Sequence, residues 1–224
     1  AENQHYADIA ASVQAVTEEL VLQLARAACA RANSTSLCMA GGVALNSVAN
    51  GRILREAGVE RLYVQPAAGD GGAAVGAALY GSRILLGEPA RFVMDHAYWG
   101  QAHNASVIHD AVVASGLSAV MTTSEEQLID RVTDLLARDS VVGWFQGRFE
   151  WGPRSLGNRS ILASPRRAEM KDIVNTKIKF REPYRPFAPS VPIERASRYF
   201  DLATPEAHLP ARFMLLVAPV REEA

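Results

Sequence analysis

The first 86 residues pass twice from a short strand through a glycine loop into a helix. Residues 37–40 lead into Gly41-Gly42 and a helix predicted over 43–57, and residues 61–65 lead into AAGDGG (67–72) and a helix predicted over 73–86. An amphipathic helix is predicted before both, over 7–32, because apolar residues recur there every three or four positions. In open α/β sheets, ligands bind at the carboxyl ends of the strands, where such loops lie. The pattern therefore predicts an α/β fold with two loops suited to bound phosphate.

The two loops supply the first candidate ligands. Their glycines are candidate cofactor-binding residues: Gly41, Gly42, Gly69 and Gly71. Asp70, a carboxylate inside a glycine loop, is a candidate for holding a metal or a metal–phosphate complex, although capping the next helix is an alternative. Asn46 either hydrogen-bonds a ligand or belongs to the first turn of its helix, and the sequence does not decide between the two.

The rest of the chain predicts a second domain behind a linker. Residues 87–105 lack a helical period and contain Gly87 and Pro89, so they are predicted to be the linker between domain 1–86 and domain 106–224. The predicted helices are 106–115, 124–138, 166–178 and 194–200, and the predicted strands are 141–145 and 213–220.

A cationic stretch runs from Arg148 to Arg185, with ten basic and four acidic residues, whereas the remaining residues carry 13 basic and 20 acidic ones. Clustered guanidinium groups on a backbone restrained by glycine and proline predict a preorganised anion site, since arginine matches phosphate and carboxylate oxygens. Three of the cations are expected to lie on a solvated helix surface instead: Arg166, Arg167 and Lys171. Four aromatic residues are expected in the core rather than against an adenine: Trp144, Trp151, Tyr184 and Phe187.

Composition limits the function classes. A net charge of −1 argues against a nucleic-acid-coating protein. No apolar run is long enough for a membrane span, and no secretion signal is recognised, so a cytoplasmic protein is expected. Cys29 and Cys38 are expected to be buried free thiols of a reducing compartment. The five histidines are scattered, and none indicates a metal site.

Two blocks resemble a known family. GGVALN (41–46) with AAGDGG (67–72), and GPRSLGNRSIL (152–162) with NTKIKFREPYRPFAPSV (175–191), are similar to the nodulation-type O-carbamoyltransferases, which carbamoylate nodulation factors and antibiotic sugars. The resemblance implies the C-terminal part of an actin-like ATPase-type (Kae1-like) domain, followed by part of a YrdC/Sua5-like α/β domain. It also implies that carbamoyl phosphate and ATP with Mg form a carbamoyl adenylate, from which the carbamoyl group passes to an acceptor hydroxyl near iron or another divalent metal.

The resemblance also assigns residues. Gly41, Gly42 and Asn46 fall on the nucleotide loop of the family, and Asp70 falls on its metal-binding aspartate. Two cations are similar to a Lys-x-Arg pair that holds phosphate oxygens: Lys179 and Arg181. Two more lie in the GPRSLGNRS block and are assigned to carbamoyl phosphate or ATP: Arg154 and Arg159.

One departure from the family pattern limits these assignments. The family places a His-x-x-x-His pair upstream of GGVALN, and this sequence has none. We therefore expect these 224 residues to be a piece covering the end of one domain and the beginning of the next, inactive in the full reaction and with Asp70 alone a poor metal site. Exposed sheet edges of such a piece leave an oligomer possible.

Two other functions remain open from the sequence. A threonylcarbamoyladenosine-type tRNA modification enzyme shares the glycine loops and Asp70 but does not need the GPRSLGNRS block. A non-catalytic nucleotide-binding or interaction module is the other. The identity of the acceptor cannot be read from these residues.

Overall fold

The computed structural model describes residues 2–89, 91–202, 204 and 207–222. They form two compact units. The first unit comprises residues 1–97, 152–154 and 191–224, and the second comprises residues 98–151 and 155–190. Among the described residues, no helix combines the length and the apolar character that a membrane crossing requires.

The first unit has a parallel two-stranded sheet with helices. Its main elements are α1 (Glu2–Ala32), β1 (Ser36–Met39), α2 (Ser47–Glu56), β2 (Arg61–Val64) and α3 (Ala73–Tyr80). Strands β1 and β2 pair in parallel, with Ser36 opposite Arg61 and Met39 opposite Val64. Short 3₁₀ turns, Gly42–Leu45 and Asp70–Gly72, stand between each strand and its helix, and a π-helical turn, Gly81–Leu85, follows α3. Both predicted strand–loop–helix passages are confirmed.

The core of the first unit is built by α1, α2, β2 and the C-terminal segment. Its most deeply buried apolar side chains are those of Leu22, Ile53, Val64, Phe213 and Leu215. The expectation for α1 was wrong in one respect. The apolar face chosen from the periodicity is exposed (Ile9, Val13, Val16, Leu20 and Leu24), because α1 contacts α2 through neighbouring residues instead.

The C-terminal segment differs from the sequence prediction. Residues 213–220 do not form a strand. Two short helices occur in this part of the unit, Ile193–Tyr199 and Leu209–Arg212, and the following chain makes a single antiparallel bridge between Phe200 and Val220. The segment packs onto α2, where the Val217 amide donates to the Ser47 carbonyl at 3.1 Å. The structure thus groups residues 191–224 with the first unit, whereas the sequence assigned them to a second domain.

The second unit contains the two predicted amphipathic helices, Ala105–Ser115 and Glu125–Ala137, and the predicted strand β3 (Val142–Phe145). Ser124 caps the second helix by accepting a hydrogen bond from the Gln127 amide at 3.2 Å. Strand β4 (Arg159–Leu162) was not predicted, and it pairs antiparallel with β3. The helix predicted over 166–178 begins only at Met170 and continues as a π-helical turn, Val174–Ile178.

The cysteines also differ from expectation. Cys29 is only half-buried and Cys38 is exposed, because the face of β1 that carries Cys38 is not covered. Tyr184 and Phe187 are exposed rather than part of a core.

Candidate functional site

A cleft of about 690 Å³ lies in the first unit, beside the two glycine loops. Gly41, Gly69 and Asp70 line it, together with the apolar residues of α3 that follow them. Tyr63 also lines the cleft, and burial, with a smaller contribution from Cys38, raises the pKa of its hydroxyl. Of the candidate residues in the loops, Gly42, Asn46 and Gly71 lie outside this lining.

The two loops are joined to each other at the ends of the strands. The Gly41 amide donates to the Ala68 carbonyl at 2.8 Å, and Gly41 has a φ of 99°, which favours glycine. Gln65 holds the second loop by donating to the Ala67 carbonyl at 2.6 Å and accepting from the Ala67 amide at 3.0 Å. A Cβ on Gly72 would collide with both the Gln65 side chain and that carbonyl. Gly72 and Gln65 therefore determine the loop shape, although neither was selected from the sequence.

Asp70 is exposed on the second loop, and neither the loop turn nor α3 has a side-chain cap. The capping alternative is therefore not observed. No group of three histidine, cysteine, aspartate or glutamate residues that could hold a metal occurs within the described part of the chain. One carboxylate does not constitute a metal centre, so the residues present here do not fit the expected iron.

Asn46 has a structural role in this unit. Its Oδ1 accepts from the Ala49 amide at 3.2 Å, which caps α2. Its side-chain amide also exchanges two hydrogen bonds with that of Gln14, at 2.9 and 3.2 Å. These contacts favour the helix-capping interpretation over ligand binding.

The loop that follows β3 is organised by Glu150, which is only 6% exposed. Its Oε1 accepts hydrogen bonds from the amides of Leu156 at 2.6 Å and Asn158 at 2.8 Å. The Tyr98 hydroxyl donates to the Leu156 carbonyl at 3.0 Å. Glu150 thus fixes the later part of GPRSLGNRS and delivers the chain into β4.

Arg154 belongs to the first unit with its neighbours Gly152 and Pro153. Gly152, with a φ of 107°, lies against the Pro66 carbonyl, from which an added Cβ would be only 2.6 Å away. The segment therefore contacts the turn that opens the second glycine loop. Arg154 is half-buried, and its Nε is buried without a hydrogen-bond partner among the described residues.

Lys179 and Arg181 lie together in the second unit, after the π-helical turn. The Lys179 ammonium is 5.9 Å from the centre of the Phe187 ring, and the Arg181 guanidinium carbon is 4.9 Å from it. The Arg181 Nε donates to Oδ1 of Asn175 at 2.7 Å. Lys179 and Arg181 thus lie near the same aromatic ring, and their assignment to phosphate oxygens stays a prediction. Arg159 is exposed at the start of β4, opposite Phe145.

Ion pairing divides the cations of the stretch into two groups. Arg167, Lys171 and Arg185 each lie within 4.0 Å of a carboxylate oxygen. Within the described part of the chain, the four candidate cations have no such carboxylate: Arg154, Arg159, Lys179 and Arg181. Arg166 instead donates to the Ala137 carbonyl at 2.8 Å. The cations expected on a surface thus pair with a carboxylate or a carbonyl, whereas the candidate cations have no carboxylate partner among the described residues.

Comparison with known proteins gives two domain matches. Residues 1–79 match the domain described as the carbamoyltransferase N-terminus, and residues 133–224 match the one described as the carbamoyltransferase C-terminus. An uncharacterised protein of Synechocystis is 46% identical over 226 residues, covering 98% of this chain and 36% of that protein.

Two relatives have informative names. Nodulation protein NolO of Bradyrhizobium diazoefficiens is 41% identical over 220 residues, covering 98% of this chain and 40% of the relative. The 3′-hydroxymethylcephem-O-carbamoyltransferase of Streptomyces clavuligerus is 32% identical over 190 residues, covering 85% of this chain and 33% of the relative. The chain therefore spans between a third and two fifths of the length of these relatives.

Proposed function

The chain belongs to the carbamoyltransferase family, and on that premise we propose that it is part of an O-carbamoyltransferase that uses carbamoyl phosphate and ATP. The carbamoyl group passes through a carbamoyl adenylate to a hydroxyl of a small-molecule acceptor. This assignment extends the resemblance of the GGVALN and GPRSLGNRS blocks to the chemistry of the whole protein.

The observation that carries the proposal is the set of four cations that have no carboxylate partner among the described residues: Arg154, Arg159, Lys179 and Arg181. Carbamoyl phosphate and ATP are polyanions. When the adenylate forms, negative charge increases on the phosphate groups as pyrophosphate leaves. Fixed cations directed at that charge stabilise the transition state more than the ground state. Arg181 and Lys179 are the strongest candidates, because Phe187 holds both of them in one place.

The cleft of the first unit is proposed to receive the nucleotide. Its glycines leave the backbone accessible: a Cβ on Gly41 would meet no atom within 4 Å. Asp70 carries the negative charge that a Mg²⁺ bound to phosphates would contact. Arg154, two residues after the contact between Gly152 and Pro66, is proposed to neutralise phosphate oxygens at this end of the unit.

The proposed acceptor class comes from a relative. The name of the Streptomyces clavuligerus protein specifies transfer to the oxygen of a hydroxymethyl group on a small molecule. We therefore place a hydroxyl-bearing small molecule, rather than a nucleic acid, as the acceptor of this chain.

Isothermal titration calorimetry tests the proposal on the 224-residue chain, with carbamoyl phosphate and ATP as separate titrants. Replacing Lys179 or Arg181 by alanine is expected to weaken carbamoyl phosphate binding about ten-fold, the effect of a lost hydrogen bond to a charged group. Lys171→Ala is the matched control, because this exposed lysine pairs with Asp172 at 3.8 Å. Binding of neither titrant, or equal losses in all three variants, would overturn the assignment.

A second measurement addresses the reaction. Carbamoyl phosphate labelled at carbon is incubated with ATP, the whole enzyme of which these residues are part, and either a hydroxymethyl compound or tRNA. Label in the hydroxymethyl compound supports the proposed function. Label in tRNA alone rejects it in favour of the tRNA-modifying alternative.

A further inference from the structure

We propose that Asn175 is a positioning residue that directs the Arg181 guanidinium toward a bound phosphate-type oxyanion. Asn175 is fully buried, at 0% exposure, although it lies inside a strongly cationic and mostly exposed stretch. The proposal rests on the function proposed for Arg181, and it assigns a role to a residue that the sequence did not identify.

Every hydrogen-bonding atom of the Asn175 side chain is used. Its Nδ2 donates to the carbonyls of Pro183 at 3.1 Å and Arg185 at 2.9 Å. Its Oδ1 accepts from the Arg181 Nε at 2.7 Å. The backbone joins the same network, because the Arg181 amide donates to the Asn175 carbonyl at 3.0 Å. One asparagine thus fixes the path of residues 181–185 and the direction of a side chain that leaves that path.

This arrangement determines which edge of the Arg181 guanidinium is available to bind an oxyanion. Arginine has five N–H donors in a planar fork, and Asn175 takes the one on Nε. The Phe187 ring lies 4.9 Å from the guanidinium carbon and occupies one side of the cation. The donors on Nη1 and Nη2 have no partner in the described part of the chain. Those two nitrogens present the parallel N–H pair that binds two oxygens of one phosphate group.

Restraint of this kind increases affinity because the side chain does not need to be ordered when the anion binds. A free arginine loses most of its rotamer freedom on binding, and this loss of side-chain entropy lowers its affinity for the anion. The backbone beside Arg181 is also restrained, because Phe180 has a φ of 48°, which non-glycine residues seldom adopt. A strained residue beside a fixed cation is typical of a binding loop whose surroundings determine its conformation.

A purely structural role for Asn175 is the competing explanation, and a double-mutant cycle separates the two. The cycle combines Asn175→Ala with Arg181→Ala in the 224-residue chain, and calorimetry measures pyrophosphate binding at low salt. If Asn175 acts through Arg181, Asn175→Ala weakens binding about ten-fold in the wild type but less than about two-fold when Arg181 is already alanine. Equal losses in both backgrounds would show that Asn175 only maintains the loop.

A second variant keeps the proposal testable if Asn175→Ala fails to fold, as judged by circular dichroism. Arg181→Lys keeps the positive charge but removes the planar fork, so it is expected to lose about as much affinity as Arg181→Ala. Wild-type affinity in Arg181→Lys would overturn the proposal, because charge alone would then suffice.

Failure of the proposed function has a different signature. If pyrophosphate binding shows the coupling between Asn175 and Arg181, but the whole enzyme of which these residues are part transfers no label from carbamoyl phosphate, the positioning role stands and the carbamoyl reaction falls. If pyrophosphate does not bind at all, the positioning role falls, whatever the transfer assay shows.

Discussion

Removing the carboxylate of Glu150 is expected to destabilise the second unit more than removing any exposed carboxylate of the cationic stretch. Glu150→Ala leaves the buried Asn158 amide and the half-buried Leu156 amide without their acceptor. A hydrogen bond to a charged group contributes about 1.5–3 kcal/mol, so the loss of two predicts a cost of roughly 3–6 kcal/mol. Glu150→Gln keeps an oxygen acceptor without the charge and is expected to cost about 1–3 kcal/mol.

Urea unfolding followed by tryptophan fluorescence measures the loss of stability of the second unit. All three tryptophans of the chain, Trp99, Trp144 and Trp151, belong to the second unit. For a slope of about 1–3 kcal/mol per molar urea, Glu150→Ala should lower the midpoint by at least about 1 M. The urea midpoint should be highest for the wild type, lower for Glu150→Gln and lowest for Glu150→Ala.

Glu182→Ala provides the matched control. Glu182 lies in the same cationic stretch but is exposed, and its one ion pair is with Arg185 at 3.0 Å. An exposed pair contributes about 0–1 kcal/mol, so this variant should unfold close to the wild type. If Glu150→Ala shifts the midpoint no more than Glu182→Ala, Glu150 does not hold the loop.

Three further predictions concern backbone strain and pH. Gly152→Ala should destabilise the first unit by about 1–3 kcal/mol in thermal melts, because of the φ of 107° and the Pro66 carbonyl, whereas Gly71→Ala, with open space around its Cβ, should not. Phe180→Gly should raise the melting temperature, because glycine relieves the φ of 48° and the ring, 84% exposed, contributes little burial; an unchanged or lower value would contradict the strain. Burial, and secondly Glu150, raise the pKa of Tyr98, so the neutral hydroxyl stabilises the folded second unit below about pH 10, and this contribution should be lost as the pH rises further. Urea midpoints at about pH 9 and pH 11 should therefore differ less for Tyr98→Phe than for the wild type.

The parts of the fold that were predicted correctly depend on local signals. Both strand–loop–helix passages and the Ser124 cap are specified by short sequence patterns, and the structure contains them. The C-terminal segment failed because its apolar residues resemble a strand but pack against α2. Phe213 and Leu215 are buried there without a strand partner. Which surface covers an apolar run is a tertiary property, and the exposed face of α1 illustrates the same limit.

The charged residues of the candidate site were predictable from the sequence, but the residues that hold its loops by hydrogen bonds were not. The glycines and arginines could be selected from the sequence because such dense clusters of them are rare in helices and strands. Gln65, Glu150 and Asn175 carry no such signal, since a single amide or carboxylate is common on any surface. Their roles depend on backbone amides and carbonyls several residues away, as in the bond from Leu156 to Glu150. A one-dimensional pattern does not report which backbone groups converge.

The buried polar residues of the cationic stretch therefore determine its conformation, which its net charge alone does not. Each of its four acidic residues has a protein partner: Glu169, Asp172 and Glu182 pair with cations beside them, and Glu150 binds two amides. Since none of these carboxylates lies within 4.0 Å of Lys179 or Arg181, the positive charge there is not neutralised within the described part of the chain. Desolvating a polar side chain such as Asn175 costs stability unless every donor and acceptor is satisfied, and here they all are. An apolar residue at position 175 would leave the Pro183 and Arg185 carbonyls without these donors and the Arg181 Nε without its acceptor. The hydrogen bond from Arg181 to Asn175 supplies what an apolar residue cannot, a fixed direction for the cation.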